Sequence, residues 1–202
     1  MEKVLTYLAL GDSYSIGESV LLYESFPYQV VHILRKKGAN FSAPEIIART
    51  GWTTDELSAG ITACRFLPHY NYITLLIGVN NQYRGRTVEE YKLEFEVLLK
   101  QALQFAEGKK ERVIVLSIPD YSVTPFAEHM DKEKITREID LFNSVSKAVS
   151  TQYKVHYVDI TPDSRDASGN LSLLAEDKLH PSAKAYKKWA EKVADIIYGQ
   201  LK

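Results

Sequence analysis

Tyr7-Leu8-Ala9-Leu10-Gly11-Asp12-Ser13 is an apolar run that ends in a tight turn carrying a hydroxyl. Near the other end, Asp177-Lys178-Leu179-His180-Pro181-Ser182 sets a carboxylate three residues before an imidazole, just ahead of a helix-like segment. A serine hydroxyl is a poor nucleophile at neutral pH until an adjacent base takes its proton. An imidazole serves well as that base when a third group fixes its tautomer and stabilises its cation. Ser13, His180 and Asp177 can fill these three roles if the fold brings the two ends of the chain together.

The apolar run Val4–Leu10 is the first of five such stretches, followed by Glu45–Arg49, Tyr72–Ile77, Arg112–Ile118 and Val155–Ile160. Several are nearly continuous in apolar and β-branched residues, as strands buried on both faces of a parallel sheet must be. Helix-like segments lie between and after them: Pro27–Lys37, Thr54–Arg65, Val88–Glu107, Lys132–Gln152 and Ser182–Leu201. Thr87 and Glu90 have the spacing of a capping box, and Gly38 and Gly108 stand where helices end. In Val88–Glu107, Tyr91, Phe95, Leu98, Leu99, Ala102 and Phe105 recur at three- and four-residue spacing, a stripe that belongs in a core. Strand and helix alternate throughout without a linker or repeat, so the expectation is one doubly wound α/β domain over residues 1–202. Functional groups in such folds gather beyond the carboxyl ends of the strands. Ser13, Gly51, Asn80 and the loop from Pro119 to Phe126 each follow a predicted strand and should share one edge.

A chain of 202 residues can bury a substantial core. Its 25 basic and 26 acidic residues nearly cancel, which argues against a nucleic-acid footprint or attraction to an anionic membrane. Val4–Leu10 is too short to span a bilayer. With no targeting signal in the sequence and Met1 at its start, cytoplasmic residence is expected. The single cysteine, Cys64, rules out an internal disulfide and is expected to be a buried, inert thiol. Glu128, His129 and Asp131 cluster in sequence, but nothing completes a metal site around them.

Gly11-Asp12-Ser13 is not the G-x-S-x-G elbow, because Ser15 occupies the last position. Taken with Gly51 after the second strand, Asn80 after the third and Asp177-x-x-His180, however, it resembles the SGNH (GDSL) hydrolases in order and spacing. Ala48-Arg49-Thr50-Gly51-Trp52-Thr53-Thr54, Ile77-Gly78-Val79-Asn80-Asn81-Gln82-Tyr83-Arg84-Gly85 and Val158-Asp159-Ile160-Thr161-Pro162 resemble a bacterial branch of that family. The resemblance implies a flavodoxin-like three-layer α/β/α sandwich with a five-stranded parallel sheet. It implies a metal-independent serine hydrolase of carboxylic esters or thioesters that works through an acyl-enzyme and needs no cofactor. Ser13 would be nucleophile, His180 base and then acid, and Asp177 the orienting group. The N–H groups of Ser13 and Gly51 and the amide of Asn80 would bind the oxyanion, where preorganised donors lower the barrier to acyl transfer. With no long lid-like insertion, a small-molecule ester with a short acyl group is the expected substrate. The family pattern is broken twice: Asn81 replaces an aspartate, which should alter loop hydrogen bonds, and Lys178 replaces a glycine, which restricts the turn.

Other residues have plainer readings. Asp12 should brace the nucleophile turn. Asp159 and Asp163 compete with Asp177 as the orienting acid, at longer separation from His180. His32, His69, His129 and His156 lack ligand patterns. Trp52, Tyr14, Tyr23, Tyr83, Tyr121 and Phe126 concentrate near the predicted edge, and Tyr121 and Phe126 are the foremost substrate-lining candidates. Arg84 and Arg86 read as solvated loop charges. The rival to a hydrolase is a non-enzymatic flavodoxin-like domain whose Ser13 turn cradles an anion or flavin phosphate. That reading leaves Gly51, Asn80 and Asp177-x-x-His180 unexplained as a set.

Overall fold

Residues Tyr7–Asp12 form β1, buried along its whole length between two parallel neighbours. The computed structural model describes residues 4–202. Strand β2 is Glu45–Arg49, β3 Tyr72–Leu76, β4 Val113–Leu116 and β5 His156–Val158, in the parallel order β2-β1-β3-β4-β5. The β1 ladder pairs Leu10 with Ile47 on one side and with Leu75 on the other. β1 starts three residues later than Val4 because Thr6 is engaged outside the ladder. Its N–H donates to Asn71 Oδ1 at 3.0 Å, and its carbonyl accepts from Asn71 N at 3.1 Å. The strand also runs on through Gly11 and Asp12. Only glycine fits at position 11, where a Cβ would lie 2.1 Å from Ser15 Oγ and 2.4 Å from the Leu76 carbonyl.

The long helices are α2 (Phe26–Lys36), α3 (Thr54–Ala63), α5 (Val88–Phe105), α6 (Lys132–Tyr153) and α8 (Ala183–Gly199). Three short ones follow strands directly: α1 (Ser13–Ile16), α4 (Val79–Tyr83) and α7 (Thr161–Arg165). Helix α5 shows why the sequence folds here as it does. Thr87 Oγ1 accepts from Glu90 N at 3.2 Å while Glu90 Oε2 accepts from Thr87 N at 3.0 Å, so two otherwise orphaned donors are satisfied. Tyr91, Phe95, Leu98, Leu99 and Ala102 then form its buried stripe. Each large apolar side chain on such a stripe contributes roughly 1.5–3 kcal/mol relative to exposure. Gly38 and Gly108 take positive φ beyond α2 and α5, as their C-terminal placement predicts.

Right-handed crossovers sort the helices into two layers. The chain leaves β1 outward to β2 through α2, then reverses direction to reach β3, β4 and β5 through α3, α5 and α6. α2 therefore lies on one face, joined there by α8, and α3, α5 and α6 on the other. The result is the flavodoxin-like α/β/α sandwich. The reversal falls between β1 and β3, whose following loops part to open a crevice at the carboxyl edge. Cys64 departs from expectation: α3 stops at Ala63, and Cys64 caps it in extended conformation with its thiol exposed. No helix among the described residues is long and apolar enough to cross a membrane.

Candidate active site

The turn after β1 holds Ser13 at the first position of α1. Asp12 caps that helix, its Oδ1 accepting from Tyr14 N at 3.0 Å. Ser13 Oγ lies 2.9 Å from His180 Nε2, and His180 Nδ1 lies 2.6 Å from Asp177 Oδ2. With Nδ1 donating to the carboxylate, Nε2 is left to accept from the hydroxyl. The loop carrying Asp177 and His180 is built to hold this line. Asp177 Oδ1 accepts from the N–H groups of Leu179 and His180, both at 2.9 Å, and Ala175 N donates to the His180 carbonyl at 2.8 Å. Tyr14 packs on the imidazole, ring centroids 4.8 Å apart at 52°.

Sequence reasoning missed one partner of the acid. Ser19 Oγ donates to Asp177 Oδ2 at 2.7 Å, from a residue held at φ 61°. A non-glycine residue in the left-handed region is uncommon and gathers at functional sites. Burial acts to raise the pKa of Asp177. Donation from His180, from the Leu179 and His180 N–H groups and from Ser19 outweighs it and holds the carboxyl at about 2. Asp12 goes the other way. Burial, opposed by the Tyr14 and Asp12 N–H groups, pushes it up to about 7.

Gly51 and Asn80 face Ser13 across the crevice. Gly51 sits at φ +80°, while a Cβ there would meet only Arg84 Nη2, at 3.6 Å. The backbone conformation, rather than crowding, is what favours glycine at this position. Its N–H has no acceptor among the described residues. Asn80 Nδ2 donates to the Trp52 carbonyl at 3.0 Å and, through a long bond of 3.5 Å, to Asp12 Oδ2, so its second amide hydrogen is only weakly held. Ser13, Gly51, Asn80 and His180 line a cleft of about 160 Å³, walled by Tyr83, Tyr121, Phe126 and Leu179. Tyr121 and Phe126 both line the cleft. Tyr121 is fixed by donating from its hydroxyl to Gln82 Oε1 at 2.9 Å.

The competing acids are elsewhere engaged. Asp159 accepts from Ser117 Oγ and Thr161 N, and Asp163 pairs with Lys192. Tyr23 is 65% exposed and does not line the cleft. Trp52 packs its ring on Gly60, where a Cβ would come within 2.3 Å of it. Arg86 forms ion pairs with Asp55 and Glu94. Arg84 is not a free loop charge, since its Nη2 donates to the Gly51 carbonyl at 2.6 Å. A phosphate cradled at the Ser13 turn would meet the Asp12 carboxyl, which already takes the Tyr14 N–H.

Of the two departures from the family pattern, Asn81 has a local explanation and Lys178 does not. Asn81 Oδ1 accepts from Thr54 N at 3.1 Å and its Nδ2 donates to Thr54 Oγ1 at 2.6 Å, which leaves that hydroxyl to donate to Glu94. An aspartate at 81 would bring a second acceptor to a hydroxyl already committed to a carboxylate. Lys178 sits at φ 56°, a conformation that glycine adopts without strain.

Ser13, His180 and Asp177 thus stand in line at the carboxyl edge of a flavodoxin-like sheet. The sequence matches the GDSL-like Lipase/Acylhydrolase family over residues 9–188, and the chain belongs to that family. It is a carboxylic ester hydrolase. No curated protein matches it. Among solved structures it is similar to TesA at 20% identity, with a TM-score of 0.74, covering 95% of this chain and 97% of that one. The lipase/acylhydrolase from Enterococcus faecalis matches at 17% identity and a TM-score of 0.75, over 98% of this chain and 97% of the other. Axe2, an acetylxylan esterase from Geobacillus stearothermophilus, matches at 18% identity and a TM-score of 0.74, over 98% and 96%. At such identities the likeness is one of fold.

Proposed function

We propose that the protein hydrolyses small neutral carboxylic esters or thioesters through an acyl-enzyme on Ser13. The observation that carries this reading is the 2.9 Å contact between Ser13 Oγ and His180 Nε2, in line with Asp177. Ser13 Oγ attacks the acyl carbonyl while its proton passes to His180 Nε2, and the imidazolium is balanced by the Asp177 carboxylate. Charge collects on the former carbonyl oxygen, where the Ser13 and Gly51 N–H groups and the Asn80 Nδ2 hydrogen released from its long bond to Asp12 stabilise it. The carbon–oxygen or carbon–sulfur bond to the leaving group then breaks, and the departing group takes the proton from His180. Water, deprotonated by the same imidazole, attacks the acyl-enzyme and regenerates Ser13 with release of a carboxylic acid. No Asp, Glu, Lys or Arg among the described residues lines the cleft, and its volume of about 160 Å³ supports a short, uncharged acyl group. Pockets for drug-sized ligands run to about 300–1,000 Å³.

A fluorophosphonate probe followed by peptide mapping tests the nucleophile, and p-nitrophenyl esters of increasing chain length test the acyl pocket. The expected result is a single label on Ser13 and a kcat/KM that falls beyond short acyl chains. A label on another residue overturns the mechanism, and a preference for long chains overturns the size assignment.

A further inference from the structure

Helix α4 carries Asn80, and one turn further on its C-cap is Arg84, whose guanidinium spans two groups. Its Nη2 donates to the Gly51 carbonyl at 2.6 Å and its Nη1 to Glu56 Oε1 at 3.2 Å. Glu56 is already the capping-box acid of α3: its Oε2 accepts from Thr53 N at 2.9 Å, while the Thr53 hydroxyl donates to Asp55 Oδ1 at 2.5 Å. Asn80 meanwhile holds the next carbonyl, that of Trp52. Two side chains, one from α4 and one from its C-cap, thus grip the consecutive carbonyls of residues 51 and 52. Thr50 is tied on the other side, its hydroxyl donating to Glu18. The Gly51 N–H has no acceptor among the described residues, and Gly51 lines the cleft.

Glycine at φ +80° is free to reorient its flanking peptides unless something outside the backbone holds them. A charged donor at 2.6 Å is a strong restraint on that loop, since bonds involving an ionised group are shorter and roughly twice as strong as neutral ones. As an ordinary surface ion pair with Glu56, Arg84 would do little, because such pairs contribute little to stability. Its bond to the peptide beside the cleft gives it a different purpose.

We infer that Arg84 is a positioning residue for the oxyanion hole: by clamping the Gly51 carbonyl to the α3 cap through Glu56, it aims the Gly51 N–H at the substrate oxygen. This rests on the acyl-enzyme mechanism proposed above. Arg84 does not touch the substrate, so its effect falls on turnover rather than on binding. It also presents two donors in a fixed fork, which lysine cannot reproduce.

The test measures kcat and KM on p-nitrophenyl acetate for wild type, Arg84→Met, Arg84→Lys and Glu56→Gln, alongside thermal unfolding and the amide ¹H–¹⁵N resonance of Gly51. Arg84→Met should lower kcat about 10–30-fold, less than the 10²–10³ typical of losing an oxyanion donor outright, with KM within about 2-fold. The Gly51 amide resonance should move. Arg84→Lys should recover part of the loss by supplying one donor, and Glu56→Gln should lose less than Arg84→Met. A kcat in Arg84→Met close to wild type, or a Gly51 resonance that stays in place, overturns the inference. If Arg84→Met fails to fold, unchanged kcat in both Arg84→Lys and Glu56→Gln does the same. A folded wild-type protein that neither turns over esters nor labels at Ser13 refutes the underlying mechanism instead. In that case all four proteins are equally inactive, whereas failure of the Arg84 assignment leaves all four equally active.

Discussion

Replacing Asp12 with asparagine should remove a pH dependence from the stability of the whole domain. Asp12 is fully buried in the nucleophile turn, and its carboxyl is pushed up to about 7 in the folded chain. In the unfolded chain an aspartate titrates near 3.9. The sign follows from which state holds the proton. Between those two values the folded protein keeps it and the unfolded chain releases it, so stability falls as pH rises. The contribution is fully present below about pH 4 and is lost by about pH 7, at about 1.4 kcal/mol per pH unit and about 4 kcal/mol in all. The introduced asparagine is a neutral isostere whose oxygen can still accept from Tyr14 N, as Asp12 Oδ1 does at 3.0 Å. The assay is urea unfolding of both proteins from pH 4.5 to 8.5, with wild-type stability subtracted from that of Asp12→Asn so that shared groups cancel. The difference should grow steadily in favour of the variant up to about pH 7 and then level off. A difference that is flat with pH, or one that favours wild type at alkaline pH, would refute the claim that burial governs this carboxyl.

Three further outcomes follow from the site. Asn80→Ala should remain folded and still label at Ser13, while kcat for ester hydrolysis falls about 10²–10³-fold; unchanged turnover would remove Asn80 from the mechanism. Ser13→Ala and His180→Ala should each reduce kcat by several orders of magnitude, and the double variant should be scarcely worse, because either loss disables the same proton-coupled attack. Additive losses would point to separate roles. Asp177→Asn should lower kcat about 10⁴-fold by favouring the wrong imidazole tautomer. It should also lose about 1 kcal/mol of stability at neutral pH, a figure discounted because the carboxyl is partly solvent-screened. That stability advantage of wild type is present above about pH 4 and disappears toward about pH 2, where folded Asp177 takes up its proton; unfolding measurements at pH 7 and pH 2.5 check it.

Much of this is legible in the sequence alone. Glu45–Arg49 is a strand to the residue, because it is bounded by loop residues at both ends. The capping box at Thr87 and the stripe beginning at Tyr91 fix α5 from purely local rules. What escapes is set by contacts distant in sequence. Helices α1, α4 and α7 span four or five residues, too short for any periodicity to register. β1 shifts toward Ser13 because Asn71 takes the backbone of Thr6. Ser19 and Arg84 carry no local signal at all. Nothing in Gly17-Glu18-Ser19 announces a bond to Asp177, and an arginine beside Gly85 looks the same whether it faces water or a distant carbonyl. The candidate relay is readable because its members sit in short motifs; the groups that brace it are not.

The central place of β1 in the sheet has a consequence for the growing polypeptide. Its neighbours β2 and β3 are the next two strands to leave the ribosome, so Ser13, Gly51 and Asn80 can be assembled on one edge early in synthesis. The acid and the imidazole come after all five strands, in the loop that precedes α8. Under the proposed mechanism Ser13 therefore has no base until the loop before α8, which packs against α2, has been made, and a chain ending short of His180 should not hydrolyse esters.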